Sequence, residues 1–290
     1  MARRLVRRAL PAVLSLLCLM GVLCLAFGGK VPFPERYFLW LRGAAQGDLG
    51  FSTRYSAPVL SILAQRIGPS LLLMGTGVSL AVLTALPLGV LAACQPHSLW
   101  DHLSGVLALA GAAVPRFFLG IVCIYAFSFR LRWFPAMGMY AINGAGLGDV
   151  LRHLILPSLI LAMGSMGRIL EQTRNACLDV LHEDYIRAAR ARGLSEAAVL
   201  VRHVLRTALA PICARLLLEL PSILSSAAVT EKIFGWPGLG ALAIDALRNR
   251  DVPLILGASV TMAGAVLAAD LLSDVVRRVL DPRLSQEGAL

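Results

Sequence analysis

The chain has 290 residues, of which 58% are hydrophobic and only 15% charged, with a formal net charge of +10. A soluble domain carries about a quarter of its residues as Asp, Glu, Lys and Arg, so this balance excludes an ordinary soluble globule and points to a chain that crosses a membrane several times. The positive charge does not argue for a nucleic-acid partner: apart from Lys30 and Lys232 the basic residues are arginines, and most of them flank apolar runs, where they anchor spans at the membrane edge.

In chain order, Arg3, Arg4, Arg7 and Arg8 precede an apolar run over 9–27. A charged start and an apolar middle would also suit a secretory signal peptide. No small-x-small cleavage site follows, and the run just reaches the roughly 20 residues that cover a ~30 Å hydrocarbon core. It reads as an uncleaved first span with its amino terminus in the cytoplasm. Residues 28–67 mix Pro32, Pro34, aromatic residues and scattered charge, which suits an external segment with an interfacial helix near 37–45. Five further spans follow, at about 68–93, 103–128, 154–173, 207–229 and 254–276. The expected fold is therefore all-α, a polytopic membrane protein with six transmembrane helices. It forms a single domain over 1–290, with the core spans within 68–280 and both termini in the cytoplasm. This topology places thirteen basic residues on the cytoplasmic side and eleven outside, a weak bias in the usual direction.

The most strongly charged interval between spans lies in a loop over 179–206. Arg187, Arg190, Arg192, Arg202 and Arg206 stand there against Glu183, Asp184 and Glu196. Such a segment must sit in water, either as a plain link or as a surface for a soluble partner. Tyr185, Ala188, Ala189 and Arg192 are spaced i, i+3, i+4, i+7 and are expected to share one helix face. Gly193 can adopt the left-handed conformation that ends a helix, and Ser195 reads as the N-cap of the next one, with Glu196 in its first turn.

Charge inside the spans is costly and marks function by default. Arg215 and Glu219 are i, i+4 and expected to pair; Arg168 and Glu171 are i, i+3; Asp270 and Asp274 are i, i+4; Arg116 stands alone. Structural pairing, the lining of a polar substrate path and a proton relay all remain open from these residues, although the two halves show no internal repeat of the kind secondary transporters carry. After the fifth span, Glu231 and Lys232 lead into Phe234-Gly-Trp236-Pro237-Gly, an expected re-entrant or interfacial turn at the outer mouth, with a plain membrane-surface loop as the alternative. The six cysteines form no CxxC pair and the histidines fall at span ends or in loops, so no metal site is expected. GxxxxGK[ST] does not occur, so ATP hydrolysis by that route is not expected of this chain.

Seven segments carry a family resemblance. They are GDLGFS at 47–52, LPLGVLAA at 86–93, VPRFFLGI at 114–121, RHLILPSLILA at 152–162, DYIRAARARGLS at 184–195, VTEKIFGWPGLG at 229–240 and DPR at 281–283. In this order, over roughly 33–283, the chain resembles the dipeptide/oligopeptide/nickel permeases of binding-protein-dependent ABC importers. The resemblance implies a type I ABC importer permease fold. It implies that Asp184, Tyr185, Arg187, Ala188, Ala189, Arg192 and Gly193 form the loop that couples to an ATPase. It further implies a second, similar permease, two ATPase subunits that carry ATP and Mg, and an extracytoplasmic substrate-binding protein, all at a bacterial cytoplasmic membrane, with no cofactor on this chain. The solute expected is a small peptide, with nickel or a metal chelate as the alternative. An ATP-independent secondary transporter and a membrane scaffold are the readings from other classes. Glu231, Trp236, Arg215, Glu219 and Asp270 are the candidate path or gate residues. The chain departs from the family pattern in three places: Arg187 replaces a glutamate, His203, Leu205 and Arg206 replace an Ile-x-Leu-Pro run, and Arg116 replaces a small or polar residue.

Overall fold

In the computed structural model the helices are arranged around one of their number. The structure describes residues 34–141 and 146–280, and before them residues 14, 15, 17, 18, 20–22 and 25. Helix α1 (Glu35–Ala45) leads to a short ribbon, β1 (Phe51–Ser52) against β2 (Ala57–Pro58), then α2 (Val59–Cys94), α3 (Leu99–Ala113) and α4 (Arg116–Cys123), the last prolonged by a π-helical stretch, Ile124–Arg130. Next come α5 (Leu147–Leu181), α6 (Asp184–Ala191), α7 (Glu196–Ile233), α8 (Leu239–Asn249) and α9 (Val252–Leu280).

Among the described residues, α2, α5, α7 and α9 are long and apolar enough to cross a membrane. The apolar window of α5 is 72% buried, against 33%, 22% and 28% for α2, α7 and α9, which makes α5 the central helix. Its neighbours approach closely because small residues face it. A Cβ built on Gly167 of α5 would lie 2.8 Å from the Ala108 carbonyl oxygen of α3, and one on Gly111 of α3 would run into the Met163 carbonyl oxygen of α5. The two backbones therefore touch where only glycine fits, a packing mode suited to helices in lipid.

The core stacks along α5. Ala93, Cys177, Val180, Val199, Ala208 and Ile212 meet at one end. Ala81, Ala85, Met166, Ile169 and Leu170 fill the middle. Leu73, Leu161, Ile223 and Trp236 follow, while Val59, Leu63, Leu242 and Leu254 form a further cluster among α2, α8 and α9 that lacks α5.

Three expectations change. The interval 103–128 is not one straight span: α3 and α4 make a crossing only when taken together over a 103° bend. Pro115 is the cause. Its ring pushes Val114 out of the helical region, to φ −90° and ψ 123°, and a new helix starts at Arg116. The second span begins at Val59 rather than 68, directly after Pro58. The segment before the second span adds a two-stranded antiparallel ribbon to the helices, with Phe51 opposite Pro58 and Ser52 opposite Ala57. Buried Asp251 holds it: Ser52 Oγ and the Arg54 amide donate to Asp251 Oδ2 at 2.5 and 3.1 Å, while the Leu254 amide, in the first turn of α9, donates to Oδ1 at 3.4 Å.

Most of the expected first span over 9–27, and the DPR segment at 281–283, lie outside the described residues. The described part of the former is helical, with Met20 buried against Leu256, Tyr37 and Trp40.

Gly167→Leu is expected to destabilise the fold by at least the ~1–3 kcal/mol typical of overpacking, since its new side chain meets backbone that cannot rotate away. Thermal unfolding of the detergent-solubilised protein checks this, with Gly105→Leu, at an α3 position with nothing within 4 Å of a Cβ, expected to unfold as the natural chain does.

Candidate functional site

The loop between α5 and α7 folds as a short helix with two unlike faces. Ile186 and Ala189 of α6 are fully buried, packed in the cluster formed by Ala93 of α2, Ala176, Cys177 and Val180 of α5, and Val199, Val204 and Ala208 of α7. Tyr185, Ala188 and Arg192 lie on the exposed side, with Asp184 and Arg187. Ala189 therefore does not share a face with Tyr185, Ala188 and Arg192 as the spacing suggested. It belongs with Ile186, three residues before it, because the one large aliphatic residue of the helix decides which side turns inward. The segment α6 is thus a two-point plug whose outer face is free to meet something else.

Polar contacts fix its ends. Arg187 lies 3.5 Å from Asp184, and Arg190 makes a two-pronged contact with Glu196 at 2.9 and 3.1 Å, tying α6 to the start of α7. Gly193 has φ +82°, a conformation that other residues adopt only with strain, and its amide donates to the Arg190 carbonyl at 2.9 Å. Ser195 then caps α7, its Oγ accepting from the Ala198 amide at 3.4 Å. From this cap α7 runs without a break into the long span, through a π-helical turn at Leu200–Val204.

Further along the bundle, Glu219 of α7 is buried between two guanidinium groups. Arg168 of α5 donates from Nε at 2.8 Å and sits with Nη2 2.6 Å from Glu219 Oε2, and Arg215 Nη2 lies 3.0 Å from Oε1. The expected Arg215–Glu219 pair is present. Arg168 pairs across to Glu219, not with Glu171 on its own helix. The residue spacing could not show this, because the partner comes from the packing of α5 against α7. Arg116, at the first turn of α4, donates to the Gly164 carbonyl at 3.0 Å.

These charges border an open polar stripe. Beyond Gly164 every exposed residue of α5 is polar: Arg168, Glu171, Asn175 and Asp179. The adjoining exposed face of α7 carries Thr207, Arg215, Ser222 and Ser225 among its apolar residues, and Arg168 Nη2 reaches Ser222 Oγ at 3.4 Å. Side chains of this kind on membrane-spanning helices face protein or water, not lipid.

Glu231 and Trp236 sit elsewhere, inside the wall. Both are buried. The Glu231 carboxylate accepts from Ser70 Oγ at 2.5 Å and from the Gly240 and Ala241 amides at 2.8 and 3.0 Å, so it caps the start of α8. Trp236 Nε1 donates to the Pro69 carbonyl of α2 at 2.9 Å. The two residues fasten the α7–α8 turn to α2, and neither faces an open passage within this chain. Lys232 pairs with Asp245 of α8. Asp270, on the exposed side of α9, forms no ion pair among the described residues. Sequence reasoning missed Ile186 and Ser70. The first carries a signal, as the sole large aliphatic side chain in a polar helix; the second carries none.

Ile186→Ala is expected to loosen the plug by the ~2–5 kcal/mol of a large-to-small core change, seen as faster amide hydrogen exchange over 184–193, while Tyr185→Ala leaves that exchange unchanged. Glu231→Ala strips the Gly240 and Ala241 amides of their acceptor, at ~1–3 kcal/mol for each buried donor left unpaired, and lowers the unfolding temperature.

Comparison with known proteins matches residues 85–286 to a family model described as the binding-protein-dependent transport system inner membrane component. The oligopeptide transport system permease protein AppB of Bacillus subtilis is 38% identical over 260 residues, 89% of this chain and 82% of AppB. The dipeptide transport system permease protein DppB of Escherichia coli K12 is 34% identical over 275 residues, 87% of this chain and 81% of DppB. Among solved structures, the MetNI methionine ABC transporter in inward-facing conformations is similar with a TM-score of 0.59 at 15% identity, over 77% of this chain and 97% of that one, a likeness of fold.

Proposed function

The chain belongs to the family of binding-protein-dependent transport system inner membrane components, and from that premise we propose that it is the membrane permease subunit of an ATP-driven importer of small peptides. The relatives named for oligopeptides and dipeptides support the peptide reading and favour it over nickel. The observation that carries the mechanism is the two-faced α6: Ile186 and Ala189 are locked into the bundle while Tyr185, Ala188, Arg187 and Arg192 stay exposed.

In this reading the α6 end of the bundle faces the cytoplasm, in a bacterial inner membrane. Its exposed face docks on an ATPase subunit, and Asp184 and Gly193 set its two ends. A second permease, two ATPases that bind ATP and Mg, and an external binding protein complete the complex. Ile186 and Ala189 share one buried cluster with residues of α2, α5 and α7, so a displacement of α6 is felt where those helices meet. Close-packed interiors transmit such displacements. A ligand can bias two states only by contacting them differently, and the rigid outer face of α6 gives the ATPase something to contact differently. The polar stripe of α5 and α7 lines the solute path, against the second permease.

Expression with its neighbouring genes and purification by a tag on this chain test the proposal. ATPase subunits and a second permease are expected to co-purify. Gly193→Pro, which cannot adopt φ +82°, is expected to lose the ATPases while the chain still inserts in the membrane. A chain that purifies alone and moves solute in ATP-free liposomes overturns the reading and turns attention to Asp270. One that moves no solute under any condition supports a scaffold.

A further inference from the structure

Glu219 is one carboxylate among three guanidinium groups. Arg168 and Arg215 both bind it, and Arg116 lies within electrostatic range of Glu219 and Arg168. These four groups sum to two net positive charges, and Glu171, one turn beyond Arg168, forms no ion pair among the described residues. Net charge on spanning helices is costly and persists where it serves a purpose.

The geometry says where that charge points. Glu219 is 4% exposed and its two oxygens are taken, so it offers nothing to a passing solute. The side chains of Arg168 and Arg215 are 42% and 37% exposed, on the polar stripe beside Ser222. Glu219 therefore orients two guanidinium forks and leaves their outer N–H groups directed to the open side. A planar fork of N–H donors matches a carboxylate in shape and charge, more closely than an ammonium would.

We propose that Arg168 and Arg215, oriented by Glu219, form a transit site for the carboxylate end of the transported solute. The inference rests on the peptide-import reading, since every unmodified peptide carries a terminal carboxylate. It adds that the permease itself reads the acid end, independently of the binding protein. Glu219 is a positioning residue here, and the arginines make the contact.

The test uses the complete complex in liposomes, with the external binding protein saturated in turn by radiolabelled trialanine and by trialanine amide. Uptake of the acid by the natural complex is expected to exceed that of the amide. Arg168→Gln and Arg215→Gln are each expected to slow trialanine uptake about tenfold more than they slow uptake of the amide, the size of one lost charge-assisted hydrogen bond. Arg168→Lys and Arg215→Lys keep the charge without the fork and are expected to show a smaller loss of the same sign, which also serves if a Gln variant does not assemble. Equal slowing of both probes, or none, overturns the transit site while leaving peptide import intact. A natural complex that imports neither probe sinks the import reading on which the site rests.

Discussion

Everything that α6 can do depends on Ile186 and Ala189 being buried where three helices end. A short charged helix has no stability of its own, because eight residues form too few backbone hydrogen bonds to offset the cost of starting a helix. Its shape comes from the socket made by Ala93, Ala176, Cys177, Val199, Val204 and Ala208. That socket exists only because α2, α5 and α7 converge there. The helix is thus as rigid as the bundle, and the bundle feels any load applied to it. One side of α6 is thus open and the other structural, and two buried side chains suffice to make it so.

The charged residues divide into two groups by their surroundings. Glu231 and Asp251 are buried at helix starts, each satisfied by backbone amides and a serine, and they hold the α7–α8 turn and the ribbon in place. Arg168, Arg215 and Glu219 form a network with one face in the bundle and the other on a polar stripe. The first group has its full complement of partners inside the chain and so explains itself as structure. The second keeps unused donors on an open face, which sets it apart as a place for an encounter.

Much of this was legible in the residues. The spans, the charged loop, the turn at Gly193 and the Arg215–Glu219 pair follow from apolar length, glycine conformation and i, i+4 spacing, all local properties. The family follows from motifs in order along most of the chain. What was not legible depends on contacts between distant segments. Nothing near Arg168 in the chain announces Glu219, and nothing near Glu231 announces Ser70. Pro115 did carry its signal, since a proline restrains the residue before it, but hydropathy alone reads through the break that it makes. The face of α6 was misassigned for a related reason: alanine is too small to reveal which side is buried, and the decision belongs to Ile186.

The cap on α8 has a consequence for how the protein is made. Glu231 ends a span, and its carboxylate is satisfied by Ser70 on one side and by Gly240 and Ala241 on the other. On a ribosome Ser70 emerges early, Glu231 much later, and the amides of α8 last. Once Glu231 has emerged, Ser70 can already donate to it, and the two α8 amides complete the set later, so the turn before α8 closes in two steps. A single carboxylate thus ties a turn made late in the chain to a helix made early.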